Sequence, residues 1–283
     1  MCRHADAPSL GHRCARWMRR LTSASIALFL SQATASADGI PVDLQLVLAV
    51  DVSRSMDYQE QHLQRDGYVS AFRHADVLST IRAGTIGRIA VTYVEWAGSG
   101  LQQIVVPWTL IDSPEAAESF GQEIAAAPLL GRRRTSISGA LTFSSALFDK
   151  GGFTSPNRII DVSGDGPNNA GLPVTLARDH LVGRGIVING LPIMLRGNSP
   201  AGFFDIADLD AYYEDCVIGG FGAFIVTVRQ ASEFAVSIRR KLILEIASAA
   251  GTKVTLAQFE RRRPASDCLI GEKRWQDYIT GQE

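Results

Sequence analysis

The chain has 283 residues, of which 20% are charged and 46% hydrophobic, and its 28 Lys and Arg are balanced by 29 Asp and Glu. This is an ordinary globular composition, neither disordered nor disulfide-dense, and the length is ample for a sizeable core. The formal net charge of −1 argues against a nucleic-acid-binding protein that relies on bulk positive charge.

The first 37 residues differ in composition from the rest of the chain. Four arginines between positions 13 and 20 precede an uncharged stretch, Leu21 to Ala35, whose centre is the apolar run IALFL. The stretch ends in Ala35-Ser36-Ala37, the small-x-small pattern that signal peptidase requires. We therefore predict a signal peptide over residues 1–37, cleaved before Asp38, and a periplasmic or secreted protein. A membrane anchor is the alternative, but the apolar stretch is shorter than the roughly 20 residues that span a bilayer.

Cleavage would change the charge of the chain. Residues 1–37 contain five arginines and Asp6, so the mature chain keeps 23 basic and 28 acidic residues, a net charge of −5. Met18 is an alternative start to Met1, because residues 18–37 alone form a compact signal. No later stretch is long and apolar enough for a transmembrane helix, so we expect no transmembrane span in the mature chain.

Cysteine usage agrees with export. Cys2 and Cys14 would leave with the signal peptide, whereas Cys216 and Cys268 remain as an even pair. In an oxidising compartment such a pair can form one disulfide, and the alternative is two unpaired thiols.

Strand and helix patterns alternate along the first half of the mature chain. The nearly continuous apolar run 43–50 predicts a strand buried on both faces, and spaced apolar positions over 58–81 predict a helix. Residues 88–96 and 101–108 are β-rich and joined by a Gly-Ser-Gly turn, which is typical of a hairpin. Pro107 places the second of these strands at a strand end or sheet edge. A capping serine and a proline at positions 113 and 114 then begin a helix.

The second half continues the alternation. Helices are predicted over 135–148 and 172–182, strands over 158–163, 186–191 and 224–228, an acidic and aromatic insert over 203–216, and a last helix capped by Ser232. This order is typical of an α/β fold with a doubly wound, mostly parallel sheet flanked by helices. We expect that domain to span residues 42–250 and residues 251–283 to form a polar C-terminal tail.

Polar residues follow two of the predicted strands. Asp51, Ser53 and Ser55 follow the first strand, Asp165 ends the strand over 158–163, and Thr135 opens the helix between them. Ligands of such sheets bind at the carboxyl ends of the strands, so we expect these side chains at one sheet edge. All five supply hard oxygen donors, which suit Mg²⁺ or Mn²⁺ and are poor ligands for zinc or copper.

The spacing of the first three residues favours a shared ion. Residues two apart in an extended segment point the same way, so Asp51, Ser53 and Ser55 can converge. Only two of the five donors are charged, so a bound divalent ion keeps positive character and can accept a carboxylate from a partner protein. The alternative is that Asp51 and Ser53 cap a helix and Asp165 shapes a turn, with no metal.

The D-x-S-x-S motif, the distant Thr135 and the strand-terminal Asp165-Gly166 together resemble the metal-ion-dependent adhesion site (MIDAS) of von Willebrand factor type A domains. The resemblance covers residues 42–250. The stretches VLAVDVSRSM, RIAVTYVEWA, RIIDVSGDGPNN and YYEDCVIGGFGAF are further similar to an uncharacterised group of exported bacterial proteins within that superfamily.

The resemblance implies a role for each candidate residue. Ser53 and Ser55 would ligate Mg²⁺ directly, with Mn²⁺ or Ca²⁺ as alternatives, and Thr135 would bind directly or through water. Asp51 and Asp165 would act through bridging waters and hydrogen bonds. The chain departs from the family pattern in the three arginines before Thr135, at positions 132–134, and in the Ser-Gly pair before Asp165. The arginines either favour an acidic partner or face solvent.

Enzyme motifs are missing from the mature chain. It contains no G-x-S-x-G nucleophile elbow, no phosphate-binding loop and no dinucleotide fingerprint. We expect a protein-binding module rather than an enzyme, with a bound Mg²⁺ that accepts an Asp or Glu of a partner protein, and no nucleic-acid ligand. A metal-dependent hydrolase on the same site and a structural envelope protein with a vestigial site are the alternatives. Asp161, inside a strand, is expected to be a paired structural carboxylate.

Overall fold

The computed structural model describes residues 39–129, 131–195, 204–251 and 265–281. The predicted signal peptide lies outside the described residues. None of the helices in the described ranges has the length and apolar character that a membrane crossing requires.

The described chain alternates strands and helices. The strands are β1 (Ile40–Pro41), β2 (Leu44–Asp51), β3 (Ile89–Trp96), β4 (Gln102–Ile111), β5 (Phe153–Thr154), β6 (Arg158–Gly164) and β7 (Val187–Pro192). The helices are α1 (Tyr58–Arg73), α2 (Ala75–Arg82), α3 (Pro114–Ala126), α4 (Ile137–Leu147), α5 (Val174–Gly183), α6 (Leu209–Tyr212), α7 (Phe234–Ala249) and α8 (Ile270–Thr280). Short 3₁₀ turns lie over Phe148–Lys150 and Ala231–Glu233, and a π-helical turn lies over Tyr213–Val217.

Five of the strands form one sheet in the order β4-β3-β2-β6-β7. β2 pairs in parallel with β3 and β6, and β6 pairs in parallel with β7, whereas β4 returns antiparallel to β3 as a hairpin. The predicted fold class is therefore confirmed. β4 is an edge strand, so no strand among the described residues lies on its outer side. Pro107, which has no backbone N–H, therefore breaks no hydrogen bond to a strand on that side.

Helices cover both faces of the sheet, which explains the continuous apolarity of β2. Leu44, Leu46 and Leu48 pack in one cluster with residues of α1, α2, α3 and α7. Val47 and Ala49 pack in the other cluster with residues of α4, α5 and the π-helical turn. Alternate residues of a strand point to opposite faces of the sheet, and here both faces are covered by helices. Neither set of alternate residues therefore needs to be polar.

Three sequence predictions are corrected in detail. The helix predicted over 58–81 is two helices, because His74 is extended and its Nδ1 accepts a hydrogen bond from the Asp76 backbone N–H at 3.2 Å. The strand predicted over 224–228 is reduced to isolated bridges, Ile225 to Gly190 and Val228 to Ile193. The last helix is not capped by Ser232: the carboxylate of Glu233 accepts from the preceding backbone N–H groups at 229 and 230.

The C-terminal segment is joined to the body of the fold by a disulfide. Cys216, in the π-helical turn, is bonded to Cys268, and their Cα atoms are 5.4 Å apart. The described part of this segment, residues 265–281, carries α8. The segment expected only as a polar tail thus contains a helix attached beside the sheet.

Candidate metal site

The candidate site begins where the chain leaves β2. Asp51 is the last residue of that strand and is fully buried, and its Oδ1 accepts a 2.7 Å hydrogen bond from the Ser53 backbone N–H. The Ser53 and Ser55 hydroxyl oxygens lie 2.7 Å apart, and Ser55 Oγ donates to Asp165 Oδ1 at 2.7 Å. Because β2 and β6 are neighbours and parallel, their carboxyl ends bring these two segments together.

Thr135 reaches the same place from the loop before α4. Its backbone N–H donates to Asn169 Oδ1 at 3.0 Å, and its carbonyl accepts from the Asn169 N–H at 2.9 Å. The backbone N–H of Arg132 donates to the Val52 carbonyl at 3.0 Å, which ties this loop to the segment after β2. The Thr135 loop is therefore fixed by both segments that carry the other candidate residues.

The hydroxyls line one cleft. Ser53, Ser55 and Thr135 contribute to a cavity of about 690 Å³, and rings of Phe204, Trp275 and Tyr278 are also part of its lining. Asp165 is connected to this cleft through Ser55, and Asp51 lies behind Ser53. The structure thus places all five predicted residues at one end of the sheet.

The charge balance of the site calls for a cation or a proton. Burial raises the pKa of Asp51 well above its usual value, the negative charge of Asp165 raises it further, and hydrogen bonds from Ser53 oppose these effects. Asp51 Oδ2 is buried and has no hydrogen-bond partner among the described residues. A buried carboxylate oxygen without a donor is costly, and a nearby cation removes that cost.

The donor set fits a hard divalent ion. Asp51, Ser53, Ser55 and Asp165 are in contact here and Thr135 lines the same cleft, and oxygen donors are the ligands that Mg²⁺ prefers. Within the described ranges no group of three or more His, Cys, Asp or Glu side chains is placed to hold a metal. Metal binding at this site would therefore depend on the serine and threonine hydroxyls.

Gly164 allows the site to pack closely on the core. A Cβ atom at this position would lie 2.8 Å from the Tyr213 hydroxyl and 2.9 Å from Asp51 Oδ2. Tyr213 is fully buried, and burial followed by the charges of Asp51 and Asp165 raises the pKa of its phenol. The sequence placed Tyr213 in the acidic and aromatic insert, which could either shape the binding surface or form an ordinary covering helix, and did not name it as a neighbour of Asp51.

The three arginines before Thr135 differ in their exposure to solvent. Arg132 and Arg133 are exposed, whereas Arg134 is half-buried and adopts a left-handed backbone with φ of 70°. The Arg134 guanidinium donates to the Asn169 carbonyl and lies 3.8 Å from the ring centroid of Trp275 in α8. Arg134 lines the cleft beside Thr135 and is held between the site and the C-terminal helix.

Two asparagines and α8 complete the surroundings of the site, and the sequence did not single them out. Asn168 Oδ1 accepts from the Ser138 N–H at 3.0 Å, and its Nδ2 donates to Glu272 Oε1 at 2.6 Å. Gly271 of α8 fits against the Asn168 carbonyl, where a Cβ would approach to 2.1 Å. The only sequence signal was the run of small and amide residues in RIIDVSGDGPNN.

Asp161 lies away from these groups. Its Oδ1 is 2.7 Å from Lys241 Nζ of α7, and both side chains are inside the core. Lys241 also pairs with Glu245, whose Oε1 accepts from Asn189 Nδ2 at 2.9 Å. The prediction that Asp161 is a paired structural carboxylate is confirmed.

Solved structures share this fold. Proximal thread matrix protein 1 (PTMP1) from the mussel byssus aligns with a TM-score of 0.52 at 16% identity, over 74% of this chain and 49% of its own. A second PTMP1 structure, with a zinc-occupied MIDAS motif, aligns with a TM-score of 0.50 at 16% identity over the same shares, 74% and 49%. The pilus adhesin SpaC from Lactobacillus rhamnosus GG aligns with a TM-score of 0.53 at 12% identity, over 75% of this chain and 31% of its own.

These comparisons define the class of the fold. The chain spans about half the length of PTMP1 and about a third of SpaC. At such identities the likeness establishes the fold alone, and the predicted von Willebrand factor type A-like architecture is confirmed. Residues 41–250 match the family described as "Protein of unknown function (DUF1194)", and the chain belongs to that family. No curated protein is significantly similar to the chain in sequence.

Proposed function

We propose that this protein is an exported binding module that holds Mg²⁺ with Ser53, Ser55 and Thr135 and accepts an Asp or Glu side chain of a partner protein. The observation that carries the proposal is the continuous contact from Ser53 Oγ through Ser55 Oγ to Asp165 Oδ1, each step 2.7 Å, beside an open cleft. The Ser53 and Ser55 hydroxyls are close enough to bind the same ion as neutral oxygen ligands.

The carboxylates act behind the hydroxyls. Asp51 orients the turn through the Ser53 N–H, and Asp165 accepts from the Ser55 hydroxyl, so each acid positions one serine. Bound Mg²⁺ would supply a positive centre with a coordination position open to the cleft. The neutral hydroxyls leave much of that positive charge available to a partner carboxylate.

Two features bear on the role and the location of the protein. The described residues that line the cleft include no His, Cys or Glu, and their one carboxylate is Asp205. Export is supported by the N-terminal signal pattern and by the Cys216–Cys268 disulfide, since such bonds persist in oxidising compartments. A partner outside the cytoplasm is therefore proposed.

Titration calorimetry with Mg²⁺ tests the site directly. The exported protein, first stripped with chelator, is expected to bind Mg²⁺ saturably, and Ser53→Ala to bind about tenfold to a hundredfold more weakly. Ser232→Ala, at an exposed serine outside the cleft, is the matched control and should bind like the parent. Equal Mg²⁺ affinity in Ser53→Ala and the parent would contradict the proposal.

A further inference from the structure

The cleft beside the hydroxyls has an aromatic wall, formed by Phe204, Trp275 and Tyr278. Their ring centroids lie 5.9 Å apart for Phe204 and Trp275, 5.4 Å for Phe204 and Tyr278, and 5.7 Å for Trp275 and Tyr278. Tyr278 is 58% exposed although it lies in this cluster. The cleft therefore presents ring surface to solvent within the same cavity as Ser53 and Thr135.

The aromatic wall is held in position by contacts before α8 and in its first turn. The Cys216–Cys268 disulfide anchors the residues before the helix, and the Ser266 N–H donates to Asp215 Oδ2 at 2.7 Å. Glu272 accepts from Asn168, in the loop that follows Asp165. A surface that is fixed before binding loses less conformational entropy when a ligand is bound, so it suits recognition.

The aromatic wall also touches the loop that carries Thr135. The Arg134 guanidinium lies 3.8 Å from the Trp275 ring centroid, and Arg134 directly precedes Thr135 in the sequence. A ligand whose carboxylate is at the hydroxyls therefore has ring surface in the same cleft, with the Arg134 side chain between Thr135 and Trp275.

The charge at the mouth of the cleft favours an acidic ligand. Arg54 and Arg133 are exposed and line the cleft, and Arg134 lies beside Trp275. Asp205 is the one acidic residue among the described residues that line the cleft. Arginines are thus concentrated here in a chain whose predicted mature form has an excess of acidic residues. Such a local field attracts acidic segments and raises their association rate.

We propose, resting on the proposed function, that the cleft recognises a partner segment in which an Asp or Glu lies close in sequence to an aromatic side chain. The carboxylate occupies the hydroxyl end, and the ring packs on Trp275 and Tyr278. Aromatic pairs prefer offset or edge-to-face contacts at centroid separations of about 4.5–7 Å, the range already present within the wall.

Synthetic peptides test this specificity. The probes are capped hexapeptides, Gly-Gly-Asp-Phe-Gly-Gly, the same peptide with Gly in place of Phe, and the same with Asn in place of Asp. Calorimetry with the Mg²⁺-loaded exported protein is expected to show the Asp-Phe peptide binding about tenfold more tightly than the Asp-Gly peptide. In Tyr278→Ala the ratio should fall below about threefold, with Mg²⁺ affinity unchanged.

Tyr58→Ala is the matched control, because Tyr58 is 68% exposed and lies outside the cleft. It should keep the full preference for the Asp-Phe peptide. Equal affinities of the two Asp peptides for the parent protein, or a preference that survives Tyr278→Ala, would overturn the inference. Mg²⁺ binding without measurable binding of either Asp peptide would also overturn it.

Failure of the proposed function has a different signature. If the Asn-Phe peptide binds as tightly as the Asp-Phe peptide, or if chelator leaves the affinity unchanged, the carboxylate does not meet a metal. The aromatic wall would then be recognised without the metal site, and the acidic-aromatic inference would be overturned together with its premise.

Discussion

Ser55 Oγ donates a 2.7 Å hydrogen bond to Asp165 Oδ1, although the two residues are 110 positions apart in sequence. The contact exists because β2 and β6 are parallel neighbours whose carboxyl ends meet at one sheet edge. It joins the turn after β2 to the loop after β6, so a change at either residue is expected to affect the other.

Asp165→Asn tests the role of the second carboxylate. The substitution removes the charge that raises the pKa of Asp51 and weakens the anchor of Ser55. We expect Mg²⁺ affinity to fall about tenfold to a hundredfold, while metal-free thermal stability stays equal or rises. Thermal melts with chelator and with excess Mg²⁺ measure both effects, because a ligand stabilises only the state that binds it.

Asp112→Asn, at an exposed aspartate outside the cleft, is the control for that experiment. It should keep the full Mg²⁺-dependent rise in melting temperature. The same rise in Asp165→Asn would show that Asp165 is not needed for the ion.

Gly164→Ala tests the close packing beneath the site. The added Cβ would lie 2.8 Å from the Tyr213 hydroxyl and 2.9 Å from Asp51 Oδ2, and both side chains are fully buried, so neither can move away freely. We expect a loss of about 1–3 kcal/mol in the free energy of unfolding, measured with urea. Gly166→Ala, two residues on, has nothing within 4 Å of its Cβ and should be close to neutral.

Adding Tyr213→Phe to Gly164→Ala should recover part of the loss. The phenol oxygen is the nearer clash and has no hydrogen-bond partner among the described residues, so its removal leaves no donor unpaired. A double variant as unstable as Gly164→Ala alone would place the strain at Asp51 instead.

The buried Glu245 predicts a pH dependence of stability. Burial and the charge of Asp161 raise the pKa of Glu245 to about 7, against the opposing effects of Lys241 and Asn189. Between its ordinary value of 4.5 and about 7, the native state therefore binds more protons than the unfolded state. Stability contributed by this group is present at low pH and is lost as the pH rises through about 7.

Glu245→Gln is expected to flatten this dependence. Urea unfolding of the parent should show a lower free energy of unfolding at pH 8 than at pH 5.5, and the variant should remove about 1–2 kcal/mol of that difference. Glu118→Gln, at an exposed helix position with a different partner, should leave the difference unchanged. An unaltered slope in Glu245→Gln would show that another group titrates.

The disulfide is expected to stabilise the attachment of α8. Cys216 and Cys268 are 52 positions apart, so the bond restricts a long loop of the unfolded chain. We expect the double variant Cys216→Ala, Cys268→Ala to lose about 2–4 kcal/mol of unfolding free energy. Reductant should destabilise the parent by a similar amount and leave the double variant unaffected. A parent insensitive to reductant would contradict this expectation.

The sequence by itself determined the sheet and the candidate donors. The apolar run over 43–50 is typical of a strand covered on both faces, and the polar residues Asp51, Ser53 and Ser55 follow it directly. These are local signals, because periodicity and strand-end position are properties of neighbouring residues. The detailed limits of α1 and α7 depended on hydrogen bonds to the side chains of His74 and Glu233, which composition does not reveal.

Only the tertiary structure decided what surrounds those donors. Trp275 lies over Arg134 from a segment that reads as a polar tail, and Asn168 and Asn169 join α4 and α8 to the loop after β6. Residues 225 and 228 lost their predicted strand because only isolated bridges connect them to the chain around β7. Contacts between segments tens to more than a hundred residues apart depend on chain packing, and no local pattern of residues encodes them.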